Sequence, residues 1–210
     1  MKNIKNIIFD YGNVIFTINF DKAQQAWSAL GVSDSGRFFG HLQQDAVFDA
    51  FDRGEISPDA FRDRIREIIG NNNLTDEQIN NVWNSLLVGI PDGNHELLMK
   101  LKGKYRTFLL SNINAIHYDH IMEYLKNKFG FDGNNHIFEK LYYSHFIGKR
   151  KPEPAIFEQV LRENNLKPEE TLFIDDSPQH LAAAKALGIQ TYLMTAPDNV
   201  QLYFKTNGLL

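Results

Sequence analysis

The spacing of apolar and polar positions changes twice along the chain. Asn6–Phe9 is a short, almost wholly apolar run, typical of a strand that is buried on both faces of a parallel sheet. From about Asp21 to Val88 the apolar positions recur at helical spacing, and no convincing strand is found between residues 17 and 90. After residue 93, strand-like and helical segments alternate. The pattern therefore predicts an α/β protein that is interrupted after its first strand by a helical segment.

The helical segment contains clear start and stop signals. A first helix, "DKAQQAWSAL", ends before Gly31. Ser57 is predicted as the N-cap of a second helix, which closes at Gly70. Thr75 and Gln78 have the spacing of a capping box at the start of a third helix.

The alternating part predicts four more strands. The predicted elements are helix 95–102, strand 106–112, helix 114–129, strand 140–146, helix 154–164, strand 171–176, helix 179–188 and strand 190–194. Strands that alternate with helices imply a parallel sheet with right-handed crossovers. We therefore predict a doubly wound, Rossmann-like α/β core formed by residues 1–16 and 90–210, with an all-helical insertion formed by residues 17–89.

Composition narrows the class of protein. The 210 residues have a net charge of −4, and only 148–151 ("GKRK") is locally basic, a cluster typical of a solvated loop, so we expect no nucleic-acid or membrane partner. The absence of cysteine excludes disulfides and thiol chemistry. No apolar run has the length of a membrane span and no signal-peptide pattern opens the chain, so a cytoplasmic location is expected.

Polar side chains collect where the predicted strands end. In an open parallel sheet, ligands bind at the carboxyl ends of the strands. Each of these residues alone has an ordinary explanation as a turn residue, helix cap or surface lysine, but adjacent carboxylates repel and need a cation or hydrogen-bond donors. The residues at this edge are Asp10, Ser111, Asn112, Lys151, Asp175 and Asp176.

This set suits phosphoryl transfer. Mg²⁺ prefers oxygen ligands, and it would hold Asp10 ionised beside Asp175 and Asp176. A carboxylate can attack phosphorus to form an aspartyl-phosphate. Lys151 would balance the charge, while Ser111 and nearby backbone N–H groups would bind the phosphate oxygens that are not transferred.

Four segments resemble the motifs of the haloacid dehalogenase (HAD) superfamily, in the same order. They are "FDYGNVIF", "LLSN", "RKPEPAIF" and "FIDDSPQHLAAAKALGI". The resemblance covers the whole chain, because the helical insertion is similar to that family's C1 cap. "FDRGEISPDAF", together with the forms of the first and last motifs, is most similar to bacterial α-glucose-1-phosphate phosphatases and their relatives.

The resemblance implies a role for each matched residue. Asp10 would be the nucleophile and Lys151 the lysine of the third motif. Ser111 and Asn112 would bind substrate phosphate. The metal ligands would be Asp10, Asp175, Asp176 and the backbone carbonyl of Gly12.

Two positions depart from the family pattern. The phosphatases of the superfamily usually have a second aspartate two residues after the nucleophile as general acid and base, and here that position is Gly12. His180 stands where Asp or Asn is common, and we interpret it as structural or as a helix cap. Because Gly12 cannot protonate a leaving group, we expect sugar 1-phosphates and aryl phosphates to be better substrates than 6-phosphates of the same sugars.

The leading hypothesis is therefore a Mg²⁺-dependent phosphatase of a small phosphorylated metabolite, with a sugar phosphate as the favoured substrate. The alternatives are a metal-independent haloacid dehalogenase and a phosphate-binding or scaffold protein with impaired catalysis. The sequence does not specify the oligomeric state. Candidates for substrate selection in the cap, none of which we place in the site, are Trp27, Phe38, Phe39, His41, Phe48 and Arg53.

Overall fold

The computed structural model describes residues 3–32 and 46–210. The strands are β1 (Asn6–Phe9), β2 (Thr17–Ile18), β3 (Leu87–Gly89), β4 (Arg106–Ser111), β5 (Lys140–Tyr143), β6 (Thr171–Asp175) and β7 (Gln190–Leu193). The described α-helices are α1 (Phe20–Ala29), α2 (Ala46–Asp52), α3 (Pro58–Ile69), α4 (Asp76–Asn84), α5 (Asn94–Lys102), α6 (Ala115–Phe129), α7 (Ser144–Ile147), α8 (Pro154–Glu163), α9 (Pro178–Ala186) and α10 (Val200–Thr206).

Five strands form one parallel sheet in the order β5-β4-β1-β6-β7. β1 lies at its centre, where Phe9 pairs with Leu109 of β4 and Ile174 of β6. This register places Asp10, the end of β4 and the end of β6 at the same edge of the sheet. The predicted α/β class with a doubly wound parallel sheet is confirmed.

Both faces of the sheet are buried. Ile7 and Phe9 of β1 belong to one hydrophobic cluster, whereas Ile8 between them belongs to another on the opposite face. Side chains alternate between the faces of a strand, so a strand that is covered on both sides is mostly apolar. This explains the apolar run of β1 and makes the carboxylate that follows it conspicuous.

The inserted helices α1–α4 pack around a separate aromatic cluster that includes Trp27, Phe61 and Trp83. Their predicted boundaries are confirmed where local capping determines them. Ser57 Oγ accepts a hydrogen bond from the N–H of Ala60. The two reciprocal bonds of the Thr75–Gln78 capping box are also present.

The expectation of no strand between residues 17 and 90 is wrong. β2 and β3 pair as a short antiparallel ribbon, so the two chain crossings between sheet and insertion run side by side. Strands of two and three residues are too short to show a periodicity of their own. The predicted strand 140–146 is also too long, because Ser144–Ile147 is helical. Among the described helices, none combines the length and the apolar character that crossing a membrane requires.

Candidate active site

Lys151 connects two of the predicted site carboxylates. Its Nζ donates to Asp10 Oδ1 and to Asp175 Oδ2, each at 2.7 Å. All three side chains are buried, and that of Lys151 is 1% exposed. A buried ammonium needs such partners, because an unpaired charge in this environment would cost several kcal/mol. The contacts join residues that the sequence separates widely.

Asn112 fixes the backbone from which Lys151 projects. Its Nδ2 donates to the carbonyl of Lys151, and its Oδ1 accepts from the N–H of Lys151, both at 2.9 Å. The Asn112 side-chain amide is therefore engaged by protein. Its predicted contact with phosphate stays a prediction.

Asp175 and Asp176 differ in their surroundings. Asp175 Oδ1 accepts from the N–H of Ser177 at 2.8 Å, and His180 Nδ1 lies 2.9 Å from the same oxygen. Asp176 is less buried, and its Oδ2 accepts from Asn13 Nδ2 at 2.9 Å. These contacts orient both carboxylates towards the same edge of the sheet.

Burial dominates the electrostatics of the site. It raises the pKa of Asp10 to about 8, with Lys151 opposing the rise and the two other carboxylates adding to it. Burial favours the neutral form of Asp175 too, but Lys151 and His180 hold its pKa below the ordinary value. Burial would lower the pKa of Lys151, yet Asp10 and Asp175 raise it. Lys151 alone therefore does not balance three converging carboxylates.

This imbalance suits a divalent cation. Asp10, Asp175 and Asp176 each offer an oxygen, and the three oxygens lie within 4.8 Å of one another. A hard cation with oxygen ligands would stabilise the ionised form of all three groups. The donor set fits Mg²⁺, and these residues, with the adjacent Gly12 carbonyl, would hold it.

A cavity of about 160 Å³ opens over the carboxylates. Asp10, Gly12, Lys151 and Asp176 line it on the side of the sheet. Residues that the sequence did not identify also line it, from the inserted helices, the start of α6 and the loop before α8; among them are Asp52, Trp83, Asn114, His117 and Arg150. The cavity therefore lies between the sheet edge and the insertion.

Asn114 organises this second wall. As the N-cap of α6 it uses Oδ1 to accept from the N–H of His117, and the same oxygen accepts from Trp83 Nε1, both at 3.1 Å. This orientation directs Asn114 Nδ2 to Asp52 Oδ1 and to His117 Nδ1, both at 3.3 Å. One amide thus connects α2, α4 and α6.

Two arginines join the insertion to the loop that carries Lys151. Arg150 forms an ion pair with Asp49 of α2, and its Nη2 lies 3.7 Å from Asp52 Oδ2. Arg53, in turn, pairs with Glu153 at the start of α8. The interpretation of the basic cluster at 148–151 as a solvated loop is wrong for its last two residues. Arg150 is mostly buried and Lys151 fully so, because acidic partners surround them.

The other predicted residues take varied positions. Ser111 is buried at the end of β4 and is not among the residues that line the cavity. His180 is not the cap of its helix, since Ser177 occupies the N-cap position and His180 contacts Asp175 instead.

The candidate residues for substrate selection also lie in different places. Phe48 lines the cavity, where it stacks on Trp83. Trp27 is buried in the aromatic cluster of the insertion. Arg53 forms its ion pair with Glu153. Phe38, Phe39 and His41 lie outside the described residues.

The sequence contained only weak signals for the residues that were missed. Asn114 precedes a predicted helix, which is a capping signal, and Arg150 directly precedes Lys151. Neither signal indicates a cavity wall. That role depends on how the insertion packs against the sheet.

Comparisons with known proteins agree with this arrangement. The chain is 32% identical over 199 residues to a D-ribitol-5-phosphate phosphatase of Bacteroides thetaiotaomicron, which covers 93% of each protein. The crystal structure of a HAD family enzyme from the same organism, an aspartate-to-alanine mutant in complex with magnesium and inorganic phosphate, superposes with a TM-score of 0.89. It is 36% identical and covers 96% of this chain and 98% of that one.

A second solved structure is similar over nearly the full length. It is a predicted HAD-like family hydrolase from Porphyromonas gingivalis, with a TM-score of 0.87, 32% identity and coverage of 99% and 98% of the two chains. The model of the haloacid dehalogenase-like hydrolase family matches residues 4–188. The chain therefore belongs to the haloacid dehalogenase-like hydrolase family.

Proposed function

We propose that this protein is a Mg²⁺-dependent phosphatase that hydrolyses a small phosphorylated polyol or sugar through an aspartyl-phosphate on Asp10. Phosphatase activity and Mg²⁺ dependence are supported by the family and by its relatives. The observation that carries the proposal is the position of Lys151 between Asp10 and Asp175, with Asp176 beside them. This arrangement provides a nucleophile, the positive charge of the Lys151 ammonium and a set of metal ligands in one place.

Each site residue then has a physical role. Asp10 attacks phosphorus, and Lys151 keeps that carboxylate oriented while it balances the charge of the phosphoryl group. Mg²⁺ would be held by Asp10, Asp175, Asp176 and the Gly12 carbonyl. Ser111, Asn112 and neighbouring backbone groups bind the phosphate oxygens. Bound Mg²⁺ would act as a Lewis acid on the phosphoryl oxygens.

The size and the lining of the cavity favour a small and polar leaving group. Its volume of about 160 Å³ suits a short polyol chain or a single ring better than a polycyclic or lipid group. Asp52, Asn114 and Arg150 offer hydrogen-bonding groups on the wall that faces the carboxylates. The D-ribitol-5-phosphate phosphatase to which the chain is similar makes polyol phosphates the first substrates to test.

Sugar 1-phosphates are a second candidate class, which Gly12 favours. Gly12 lines the cavity and has no side chain to protonate a departing oxygen. An anomeric oxygen leaves more readily than an ordinary alcohol, because the ring oxygen withdraws electron density. The two substrate classes therefore differ in how strongly hydrolysis depends on protonation of the leaving group.

We further propose that residues 1–16 and 90–210 form the catalytic core and that residues 17–89 form a cap. The β2–β3 ribbon and the separate aromatic cluster of the insertion support this division. A cytoplasmic location remains a prediction from the sequence.

A phosphate-release screen over polyol, sugar, nucleotide and acid phosphates, with and without Mg²⁺, tests the function. We expect turnover of ribitol 5-phosphate or a sugar phosphate that EDTA abolishes and that Asp10→Asn lacks. Chloride release from 2-chloropropionate in the presence of EDTA would instead indicate a dehalogenase. Binding of phosphate without any hydrolysis would indicate the phosphate-binding protein.

A further inference from the structure

Gly12 leaves the leaving-group oxygen without a proton donor on the side of the nucleophile. Phosphorus accepts the Asp10 oxygen while its bond to the leaving oxygen breaks, so the departing oxygen gains negative charge. An alkoxide is a poor leaving group, and general acid catalysis typically contributes about 10²- to 10⁴-fold. A donor on the opposite wall of the cavity would supply this contribution.

Most ionisable groups in the cavity are already committed. Asp10 and Asp176 belong to the proposed metal site, and Lys151 donates to Asp10 and Asp175. Arg150 keeps its proton at every relevant pH. These four groups do not supply the proton.

The two histidines of the cavity are also committed. His117 Nε2 lies 3.0 Å from the Trp83 carbonyl, so this nitrogen carries the hydrogen, and Nδ1 accepts from Asn114. Burial lowers the pKa of His117 to about 4, which keeps the ring neutral. His180 Nδ1 contacts both carboxylate oxygens of Asp175, at 2.9 and 3.1 Å, so His180 belongs to the proposed metal site.

Among the described residues that line the cavity, Asp52 is the remaining ionisable one, and its position suits a general acid. It is the last residue of α2, it lines the same cavity as Asp10, and its side chain is 14% exposed. Asn114 Nδ2 orients it through Oδ1 at 3.3 Å. Its Oδ2 is 3.7 Å from Arg150 Nη2, which is too long for a hydrogen bond.

We propose that Asp52 is the general acid that protonates the leaving-group oxygen, in place of the side chain that Gly12 lacks. The proposal rests on the phosphatase function proposed above. It makes Asp52 a catalytic residue supplied by the inserted helices, so that the complete site forms only when the insertion packs against the sheet.

The protonation equilibrium of Asp52 supports this role. Burial raises its pKa to about 6, against the lowering effect of Arg150, the Asn114 amide and Arg53, while Asp49 adds to the rise. A general acid is most effective when its pKa lies near the working pH.

The reaction proceeds in two steps. In the first, an Asp10 oxygen forms a bond to phosphorus, the bond to the leaving oxygen breaks, and the Asp52 proton moves to that oxygen to give a neutral alcohol. In the second, a water oxygen attacks phosphorus, one water proton returns to the Asp52 carboxylate, and the bond between Asp10 and phosphorus breaks. Inorganic phosphate leaves, and both aspartates regain their starting states.

The test compares two substrates of similar shape whose leaving groups differ in acidity, benzyl phosphate and p-nitrophenyl phosphate. Neither leaving group has sugar hydroxyls, so a role of Asp52 in binding hydroxyls does not affect the result. For Asp52→Asn we expect kcat/KM for benzyl phosphate to fall about 100-fold or more, and that for p-nitrophenyl phosphate to fall less than about tenfold. In the wild type, the ratio of kcat/KM for benzyl phosphate to kcat/KM for p-nitrophenyl phosphate should decrease as the pH rises through about 6, because Asp52 loses its proton.

Controls separate this role from a structural one. Asp49→Asn changes the other aspartate that pairs with Arg150 and should lower the ratio far less than Asp52→Asn does, because it removes only the contribution of Asp49 to the raised pKa of Asp52. Asp52→Glu retains a carboxyl group and should recover part of the benzyl phosphate activity. An equal loss for both substrates in Asp52→Asn, or a selective loss in His180→Gln instead, would overturn the proposal. If wild type hydrolyses neither substrate nor any polyol or sugar phosphate with Mg²⁺, the proposed function itself fails.

Discussion

Asn112 and Lys151 exchange two hydrogen bonds of 2.9 Å, in which the side-chain amide of Asn112 pairs with both the N–H and the carbonyl of Lys151. The amide thereby forms the two hydrogen bonds that the backbone of a neighbouring strand would form. It joins the end of β4 to the loop before α8, and the ammonium of Lys151 reaches two buried carboxylates from the backbone held in this way. The position of Lys151, the proposed catalytic lysine, is thus set by a residue of the preceding motif.

Asn112→Ala should misplace Lys151. Both backbone groups of Lys151 lose their partner, so we expect the free energy of unfolding to fall by about 2 kcal/mol. A displacement of about 1 Å in an active site can lower activity about 100-fold. Urea denaturation and kcat/KM for the best phosphate ester measure the two effects. Asn112→Asp keeps the accepting oxygen but turns a second oxygen towards the Lys151 carbonyl, so it should be impaired as well, whereas wild-type kinetics in Asn112→Ala would disprove this positioning role.

Asp10→Asn should remove the attacking oxygen and keep the fold. We expect kcat to fall by a factor of about 10⁴ or more, as is typical when a covalent nucleophile is lost. Stopped assays of phosphate release, with circular dichroism as the control for folding, test this. A variant that retains a tenth of wild-type activity would exclude Asp10 as the nucleophile.

Asp176→Asn should weaken Mg²⁺ binding with little effect on stability. Asp176 is only partly buried and contacts Asn13, so the amide can be accommodated. Titration calorimetry should show a higher dissociation constant for Mg²⁺, and wild-type activity lost in EDTA should return when Mg²⁺ is added. Unchanged Mg²⁺ affinity in this variant would place the metal elsewhere.

The sequence predicted the sheet and its polar edge better than the opposite wall of the cavity. Asp10 is recognisable because it follows a strand that must be apolar on both faces, and the Thr75–Gln78 capping box is determined within four residues. The contacts of Asn114 with Trp83 and Asp52 join separate segments of the chain, so no local pattern encodes them. The β2–β3 ribbon was missed because only tertiary structure pairs such short strands.

The proposed cap should respond to ligand as a unit. Its two connections run through the β2–β3 ribbon, where Gly89 has φ 143° and provides backbone freedom. Hydrogen exchange with Mg²⁺ and vanadate should increase protection in residues 46–89, while the buried strands β1 and β6 stay equally protected. Unchanged protection across the cap would argue against closure over the substrate.

The protein should lose stability at acidic pH because His117 is buried. Burial lowers its pKa from 6.5 to about 4 in the folded protein, and the Trp83 carbonyl only partly opposes this effect. The unfolded chain therefore binds the additional proton between pH 6.5 and 4, so this contribution to stability is complete above pH 6.5 and is lost as the pH falls towards 4. At about 1.4 kcal/mol per pH unit, the loss amounts to about 3 kcal/mol.

His117→Gln should remove this pH dependence, because its amide can still donate to the Trp83 carbonyl but does not titrate. Urea denaturation at several pH values between 4 and 7 should show that the wild type loses about 3 kcal/mol more than the variant. His120→Gln changes an exposed histidine on the same helix and should follow the wild type closely. If wild type and His117→Gln lose stability in parallel, His117 takes up its proton in the folded state, and the neutral tautomer that we infer between Trp83 and Asn114 is wrong.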